Sequence, residues 1–166
     1  MGANQRKIVV VLLSALFMVL SGLSSVSAEE YKAMKGVKSA NVMFDMRDAN
    51  VQTAIIHLNL IHDTYNELAA MKKKPVFVVV FMAGSVKLIS TDHRGFKAEE
   101  ENSLKEIASI ISKMKKTGIR VEACLFAAKV FGVEPSTILP EIERVGNGWI
   151  SEIGYQARGY SLVPVY

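Results

Sequence analysis

The chain has little of the residue chemistry that marks the common enzyme classes. Only one of its 166 residues is a cysteine, Cys124, so no disulfide can form within the chain. The sequence also lacks a GxGxxG motif, a P-loop and a GxSxG motif. The sequence therefore gives no indication of a dinucleotide-binding protein, of a P-loop nucleotide-binding protein or of an α/β-hydrolase.

Histidines that are spaced as metal ligands are missing too. His57 and His62 are five residues apart on a predicted helix and therefore do not share a face, and His93 falls in a predicted loop. Paired histidine ligands on one helix are normally three or four residues apart. The sequence therefore predicts neither a metal site nor an organic cofactor.

Residues 1–28 have the pattern of a cleavable signal peptide. Arg6 and Lys7 precede an uncharged apolar run over residues 8–20, and small residues lead to a predicted cleavage site after Ala28. The run is shorter than the roughly 20 residues that a bilayer-spanning helix needs. We therefore expect export to the periplasm, with no stable membrane insertion after cleavage. The alternative is an uncleaved N-terminal anchor.

The rest of the chain is long enough for one domain with a real core. We expect residues 29–36 to be a flexible lead-in and residues 37–166 to form a single α/β domain. Without Arg6 and Lys7, 18 of the 20 basic residues remain against 16 acidic ones, which is a net charge of about +2. Basic and aromatic residues are not interleaved, so nucleic acid is not an expected partner.

Hydrophobic patterning predicts strands that alternate with helices. Residues 76–82 are continuously apolar, as in strands that are buried on both faces of a parallel sheet. Apolar residues recur at three- and four-residue steps after residue 50 and again around residues 104–114, which predicts two amphipathic helices. Asn147 can cap a last helix, in which the spacing places Ile150, Ile153 and Ala157 on one face. We therefore predict a three-layer, flavodoxin-like α/β fold with a mainly parallel sheet of about five strands.

In such sheets, ligands bind beyond the carboxyl ends of the strands. That rim collects the residues after Phe44, those around Gly84 and Ser85, and Cys124, all of which follow predicted strands. Gly84 and Ser85 are candidate anion-binding residues, although a glycine before a helix is also a common turn. A thiol at the start of a helix faces unpaired amides and the positive end of the helix dipole, which favours the thiolate. The position of Cys124 suits a persulfide-forming cysteine.

Other roles for Cys124 stay open on sequence alone. An exported chain enters an oxidising compartment, where cysteines usually pair, and a single cysteine has no partner within its own chain. Cys124 is therefore a buried spectator, an intermolecular partner or a chemically used thiol. Free cysteine is among the most buried residue types, so packing between helix and sheet is a full alternative to reactivity.

Three segments resemble the DsrE/DsrF-like (DsrE/TusD-related) sulfur-relay family. They are the strand–Cys–helix segment 118–133, the apolar strand that leads to Gly84, and a tail in which Asn147 and Gly148 precede the Gly159–Tyr160 and Val163–Pro164 pairs. The resemblance covers about residues 40–166. It implies a flavodoxin-like fold and assembly into homo-trimers or homo-hexamers. In cytoplasmic members it implies sulfur relay through a persulfide on the cysteine that matches Cys124.

Two functions therefore remain in competition. The first is an exported sulfur carrier of the sulfurtransferase type, which receives sulfur on Cys124 from a donor and passes it to an acceptor protein. The second is a non-catalytic periplasmic binding or assembly module in which Cys124 is structural. A third possibility, an enzyme that uses the rim on a small anion, has less support because no general base is evident.

Overall fold

The computed structural model describes residues 31–166, so the predicted signal peptide, residues 1–28, lies outside the described residues. The predicted lead-in, residues 29–36, is described only from Tyr31 and contains a single 3-10 turn, Lys32–Met34. Residues 37–166 form one compact unit. Within residues 31–166, no helix combines the length and the apolar character that crossing a membrane requires.

Five parallel strands form the sheet of this unit. The strand order across the sheet is β4-β3-β2-β1-β5, and every pairing of neighbouring strands is parallel. The strands are β1 Ala40–Met46, β2 Pro75–Phe81, β3 Arg120–Cys124, β4 Glu143–Val145 and β5 Ser161–Val165.

Helices cover both faces of this sheet. They are α1 Val51–Ala70, α2 Glu101–Thr117, α3 Leu125–Val130 and α4 Gly148–Ala157, and 3-10 turns Ala83–Ile89, Ala98–Glu100 and Pro135–Thr137 lie between them. The chain crosses from β1 to β4 in one direction, so right-handed crossovers place α1, α2 and α3 on one face. The return from β4 to β5 places α4 on the other. This confirms the predicted three-layer α/β fold, with a wholly parallel sheet.

Burial in the core explains why the apolar strands can be predicted from the sequence. In β2, the five residues from Phe77 to Phe81 are buried, as expected for a strand covered on both faces. The Phe77 ring makes edge contacts with Phe44 of β1 and Tyr65 of α1, at centroid distances of 5.0 and 5.4 Å. These rings join the sheet to α1.

The apolar face that Ile150 and Ile153 share on α4 is turned away from the sheet. Ile150 and Ile153 are each 68 % exposed, whereas Tyr155 is buried. The helix turns Gly148, Glu152 and Tyr155 toward the sheet, where they meet polar groups of β1 and β3. The sheet surface beneath α4 is partly polar, which explains why a mixed face of the helix packs there.

Candidate functional site

Cys124 joins β3 to α3. It is the last residue of the strand and the N-cap of the helix, where its Sγ accepts a hydrogen bond from the Ala127 N–H at 3.4 Å. Side chains alternate between the two faces of a strand, so Glu122 and Cys124 both point toward α4. The thiol therefore lies between two helices that approach it from different parts of the chain.

A second hydrogen bond comes from the start of α4. The Gly148 N–H donates to Cys124 Sγ at 3.2 Å. Gly148 is the first residue of the helix, and the Asn147 side chain caps the same end by accepting from the Trp149 N–H. The sulfur therefore faces backbone N–H groups and the positive end of the α4 dipole. Both favour negative charge on sulfur.

The close approach of α4 depends on glycine at position 148. A Cβ added at Gly148 would overlap Met82 Sδ and would lie 3.1 Å from Cys124 Cβ. Any side chain larger than hydrogen would therefore require a shift of the Met82 side chain, of Cys124 or of the start of α4. In the sequence, Gly148 stands out only as part of the family-like tail. This packing role depends on a contact between residues 24 positions apart and left no local signal.

Cys124 is 3 % exposed, yet it lines a cavity of about 230 Å³. The cavity lies beyond the carboxyl ends of β1, β2 and β3, where a parallel sheet of this kind binds ligands. Its walls are mainly apolar. The ten wall residues are Arg47, Met82, Ala83, Cys124, Phe126, Ala127, Val130, Phe131, Asn147 and Trp149. Phe126, Val130 and Trp149 are also largely exposed, so apolar surface surrounds the site.

Gly84 and Ser85 do not share the wall of this cavity. They follow its wall residues Met82 and Ala83 in the chain, and Ser85 is fully buried. The Ser85 Oγ accepts from the Met82 N–H at 3.1 Å and lies 2.7 Å from the carbonyl oxygens of Met46 and Met82. This hydroxyl therefore links the end of β1, through Met46, to the wall residue Met82 that follows β2.

Ala83 forms part of the wall with an unusual backbone. Its φ is 50°, in the left-handed region that residues other than glycine rarely occupy. Such conformations cost roughly 1–3 kcal/mol and tend to occur at functional sites. The strain at Ala83 therefore adds to the reasons for treating this cavity as the functional one.

Arg47 is a wall residue that no sequence motif marks. It follows β1 directly, and its Nε donates to Asp45 Oδ2 at 2.6 Å. The rule that ligands bind beyond the carboxyl ends of strands pointed to the residues after Phe44. It did not select Arg47 among them. Across residues 31–166, no group of three or more His, Cys, Asp or Glu side chains is placed to hold a metal ion.

Comparison with known proteins identifies the family. The model of the DsrE/DsrF-like family matches residues 62–165, more than half of the chain. The chain belongs to the DsrE/DsrF-like family. The match contains Gly84, Cys124 and Gly148, whereas Arg47 precedes it.

One curated relative of this DsrE/DsrF-like chain is an uncharacterized protein from Aquifex aeolicus (strain VF5). It is 26 % identical over 123 residues, which cover 74 % of this chain and 54 % of the relative. The chain thus spans about half the length of that curated relative.

Solved structures show the same fold. The protein of unknown function MTH1491 from Methanobacterium thermoautotrophicum has a TM-score of 0.59 at 15 % identity, and the alignment covers 76 % of this chain and 99 % of that one. The ychN protein from E. coli has a TM-score of 0.50 at 12 % identity, with the same coverage. At these identities the similarity establishes the α/β architecture.

Proposed function

We propose that this protein is a sulfur carrier that holds sulfane sulfur as a persulfide on Cys124. The observation that carries the proposal is the placement of the Cys124 sulfur. It lies in the wall of a cavity and accepts hydrogen bonds from two backbone N–H groups, at 3.2 and 3.4 Å. Membership of the DsrE/DsrF-like family, which is related to sulfur relay, supports the same role.

The proposed chemistry is a pair of sulfur-exchange steps. In the first, the Cys124 thiolate attacks the sulfane sulfur of a donor, and a new S–S bond forms as the donor's bond to that sulfur breaks. The donor's leaving group takes the bonding electron pair. In the second, an acceptor thiolate attacks the outer sulfur, and Cys124 leaves as a thiolate. Both steps balance without an external oxidant, reductant or cofactor.

The protein contributes charge stabilisation and shielding to these steps. The N–H groups of Ala127 and Gly148 stabilise the thiolate when it attacks and again when it leaves. The apolar walls limit water around the outer sulfur. After loading, that sulfur extends from the buried Sγ toward the cavity, where an acceptor can reach it.

The direct test is intact-mass analysis after treatment with polysulfide. We expect wild type to gain the mass of sulfur, to lose it on reduction, and to gain none when Cys124 is replaced by serine. Equal sulfur gain in wild type and Cys124→Ser, or no gain in either, contradicts the proposal.

A second candidate function has a specific observation in its favour. Because Cys124 is only 3 % exposed, it also fits a structural cysteine in a non-catalytic binding or assembly module. Alkylation of the native protein separates the two. A thiol that reacts with iodoacetamide only after unfolding supports the structural role, whereas reaction in the native state supports the carrier.

We propose further that the protein is a homo-oligomer, a trimer or hexamer, that works with a separate donor or acceptor protein. The exposed apolar side chains of α3 and α4 support this assembly: Phe126, Val130, Trp149, Ile150 and Ile153. Large apolar side chains that are exposed in such numbers commonly mark a protein–protein contact. Native mass spectrometry measures the number of copies.

The proposed place of action is the periplasm. Its support is the signal-peptide pattern of residues 1–28, which predicts cleavage after Ala28. Expression of the full chain followed by cell fractionation and N-terminal sequencing tests it. A periplasmic protein that begins at Glu29 supports the proposal, and an intact N-terminus in the cytoplasm contradicts it.

A further inference from the structure

The wall of the Cys124 cavity carries a single charged side chain among the described residues, Arg47. Apart from Arg47, the cysteine thiol and the Asn147 amide, the side chains of the wall are apolar. At about 230 Å³, the cavity is smaller than the roughly 300–1,000 Å³ of sites for drug-sized ligands. It suits a small molecule that carries negative charge near Arg47.

The guanidinium of Arg47 retains free donors. A guanidinium has five N–H donors. Within residues 31–166, the hydrogen bond from Nε to Asp45 is the only one that its side chain makes. Nη2 forms a longer ion pair with Glu152 Oε1 at 3.7 Å, and the ionised form of Tyr166 also interacts favourably with the guanidinium. Nη1 makes no hydrogen bond or ion pair within residues 31–166 and is available to an anion, and the Arg47 side chain is 30 % exposed.

Two acids, Asp45 and Glu152, lie beside Arg47. The hydrogen bond of 2.6 Å from Arg47 Nε to Asp45 Oδ2 orients the guanidinium. Burial and then the negative charge of Asp45 raise the pKa of Glu152, whereas the positive charge of Arg47 lowers it, and the net shift is upward. Neither Asp45 nor Glu152 is a wall residue of the cavity, so Arg47 is the charged side chain that a molecule in the cavity meets.

We propose that Arg47 makes the cavity selective for small anionic sulfane-sulfur donors, the chemical class to which thiosulfate belongs. This inference rests on the proposed function of Cys124. Arg47 binds the anionic group of the donor while the sulfane sulfur faces the thiol. With thiosulfate, the Cys124 thiolate bonds to the sulfane sulfur, the S–S bond of the donor breaks, and sulfite leaves with the electron pair.

The test compares two alkylating reagents of nearly equal size, iodoacetate, which is anionic, and iodoacetamide, which is neutral. The ratio of their rates at Cys124 reports charge preference, because changes in the reactivity of the thiol affect both rates. We expect Arg47→Gln to lower the iodoacetate-to-iodoacetamide ratio about tenfold, the size of one hydrogen bond to a charged group. Arg47→Lys keeps the charge and should retain most of the ratio.

A salt titration of wild type keeps the proposal testable even if Arg47→Gln does not fold. Added salt screens an electrostatic preference, so the wild-type ratio should fall as ionic strength rises. A ratio that is unchanged by Arg47→Gln, or that is independent of salt, overturns the inference.

Loading with sulfur separates failure of this inference from failure of the proposed function. We expect thiosulfate to load wild type faster than Arg47→Gln. A neutral organic trisulfide should react equally with both, because its central sulfur is transferred to Cys124 with an alkylthio group attached as an alkanethiolate leaves, and no charge is recognised. Equal loss with both donors contradicts a role for Arg47 in anion selection. If no donor loads sulfur but the alkylation ratio still depends on Arg47, the carrier function fails and the anion preference stands. If neither alkylating reagent reaches the native thiol, both fail.

Discussion

The backbone N–H of Gly148 donates a hydrogen bond to the Sγ of Cys124 at 3.2 Å, which brings the start of α4 against the end of β3. The thiol thereby gains a second N–H donor in addition to that of Ala127. Glycine suits this contact, because a Cβ at position 148 would overlap Met82 Sδ and crowd Cys124 Cβ at 3.1 Å. The environment of the sulfur is therefore set by the packing of α4 as much as by the strand–helix switch at Cys124.

The first prediction concerns this contact. Gly148→Ala should displace the start of α4, slow the native-state reaction of Cys124 with iodoacetamide, and cost about 1–3 kcal/mol of stability through overpacking. Gly154→Ala is the matched control in the same helix, because a Cβ there meets no atom within 4 Å. It should leave the thiol unchanged and stabilise the helix by about 0.5–1 kcal/mol. Equal effects of the two substitutions on Cys124 would contradict the packing role.

The second prediction concerns the hydrogen bond of 2.5 Å from the Tyr155 hydroxyl to the buried Glu122. Burial raises the pKa of Tyr155 to about 12, and the bond to Glu122 adds to the rise. The hydroxyl therefore stays protonated and donates at any physiological pH. Tyr155→Phe leaves a buried carboxyl without this donor and should cost about 1–3 kcal/mol in chemical denaturation.

Tyr160→Phe is the control for Tyr155→Phe. The Tyr160 ring packs against Tyr155 at a centroid distance of 5.0 Å, but its hydroxyl makes no hydrogen bond among the described residues. We expect a change of less than about 0.5 kcal/mol. A similar loss in both variants would mean that ring packing, rather than the bond to Glu122, carries the effect.

The third prediction uses the raised pKa of Glu152. Because burial, and then the charge of Asp45, raise this pKa in the folded state, folding favours protonated Glu152. Its contribution to stability is complete below the ordinary value of 4.5 and is lost as pH rises through the folded-state value. Glutamine is neutral at every pH. The thermal midpoint of Glu152→Gln, relative to that of wild type, should therefore increase as pH rises.

Thermal unfolding at about pH 4.5 and at about pH 8 measures this change. Glu106→Gln, on the exposed side of α2, is the control and should track wild type at both values. If the difference in thermal midpoint between Glu152→Gln and wild type is the same at both pH values, the raised pKa is contradicted.

The fourth prediction tests the proposed assembly. Ile153 lies on α4 and is 68 % exposed, and Ile56 lies on α1 with a similar exposure. If the apolar surface of α4 is the subunit contact, Ile153→Glu should give monomers in native mass spectrometry while the fold is retained. Ile56→Glu, on the opposite face of the sheet, should leave the oligomer intact. Loss of assembly in Ile56→Glu alone would move the contact to α1.

Local patterns in the sequence account for most of the fold. The apolar run of β2 has its explanation in burial on both faces, and Gly118 ends α2 with a φ of 94°, as a left-handed cap requires. The Asn147 cap is likewise observed at the start of α4. Each of these features depends on residues within a few positions of one another, which is why the sequence predicts them.

The candidate site is harder to predict from the sequence, because it depends on contacts between residues that are far apart in the chain. The strand–helix switch, the scarcity of cysteine and the family resemblance all point to Cys124. Arg47 lines the cavity from the end of β1, and Gly148 contacts the sulfur from the start of α4. No pattern in the neighbouring sequence predicts either role. The exposure of Ile150 and Ile153 also depends on distant residues. The polar groups that α4 covers, Asp45 and Glu122, lie on β1 and β3.

The most direct test of the central claim follows sulfur through the protein. Wild type is loaded with isotopically labelled sulfane sulfur, freed of donor, and mixed with glutathione as the acceptor thiol, and the label is followed by mass spectrometry. We predict that the label leaves Cys124 and appears as glutathione persulfide, and that Cys124→Ser neither takes up nor transfers it. Label that never binds to wild type, or that reaches glutathione equally well through Cys124→Ser, would contradict the role of Cys124 as a sulfur carrier.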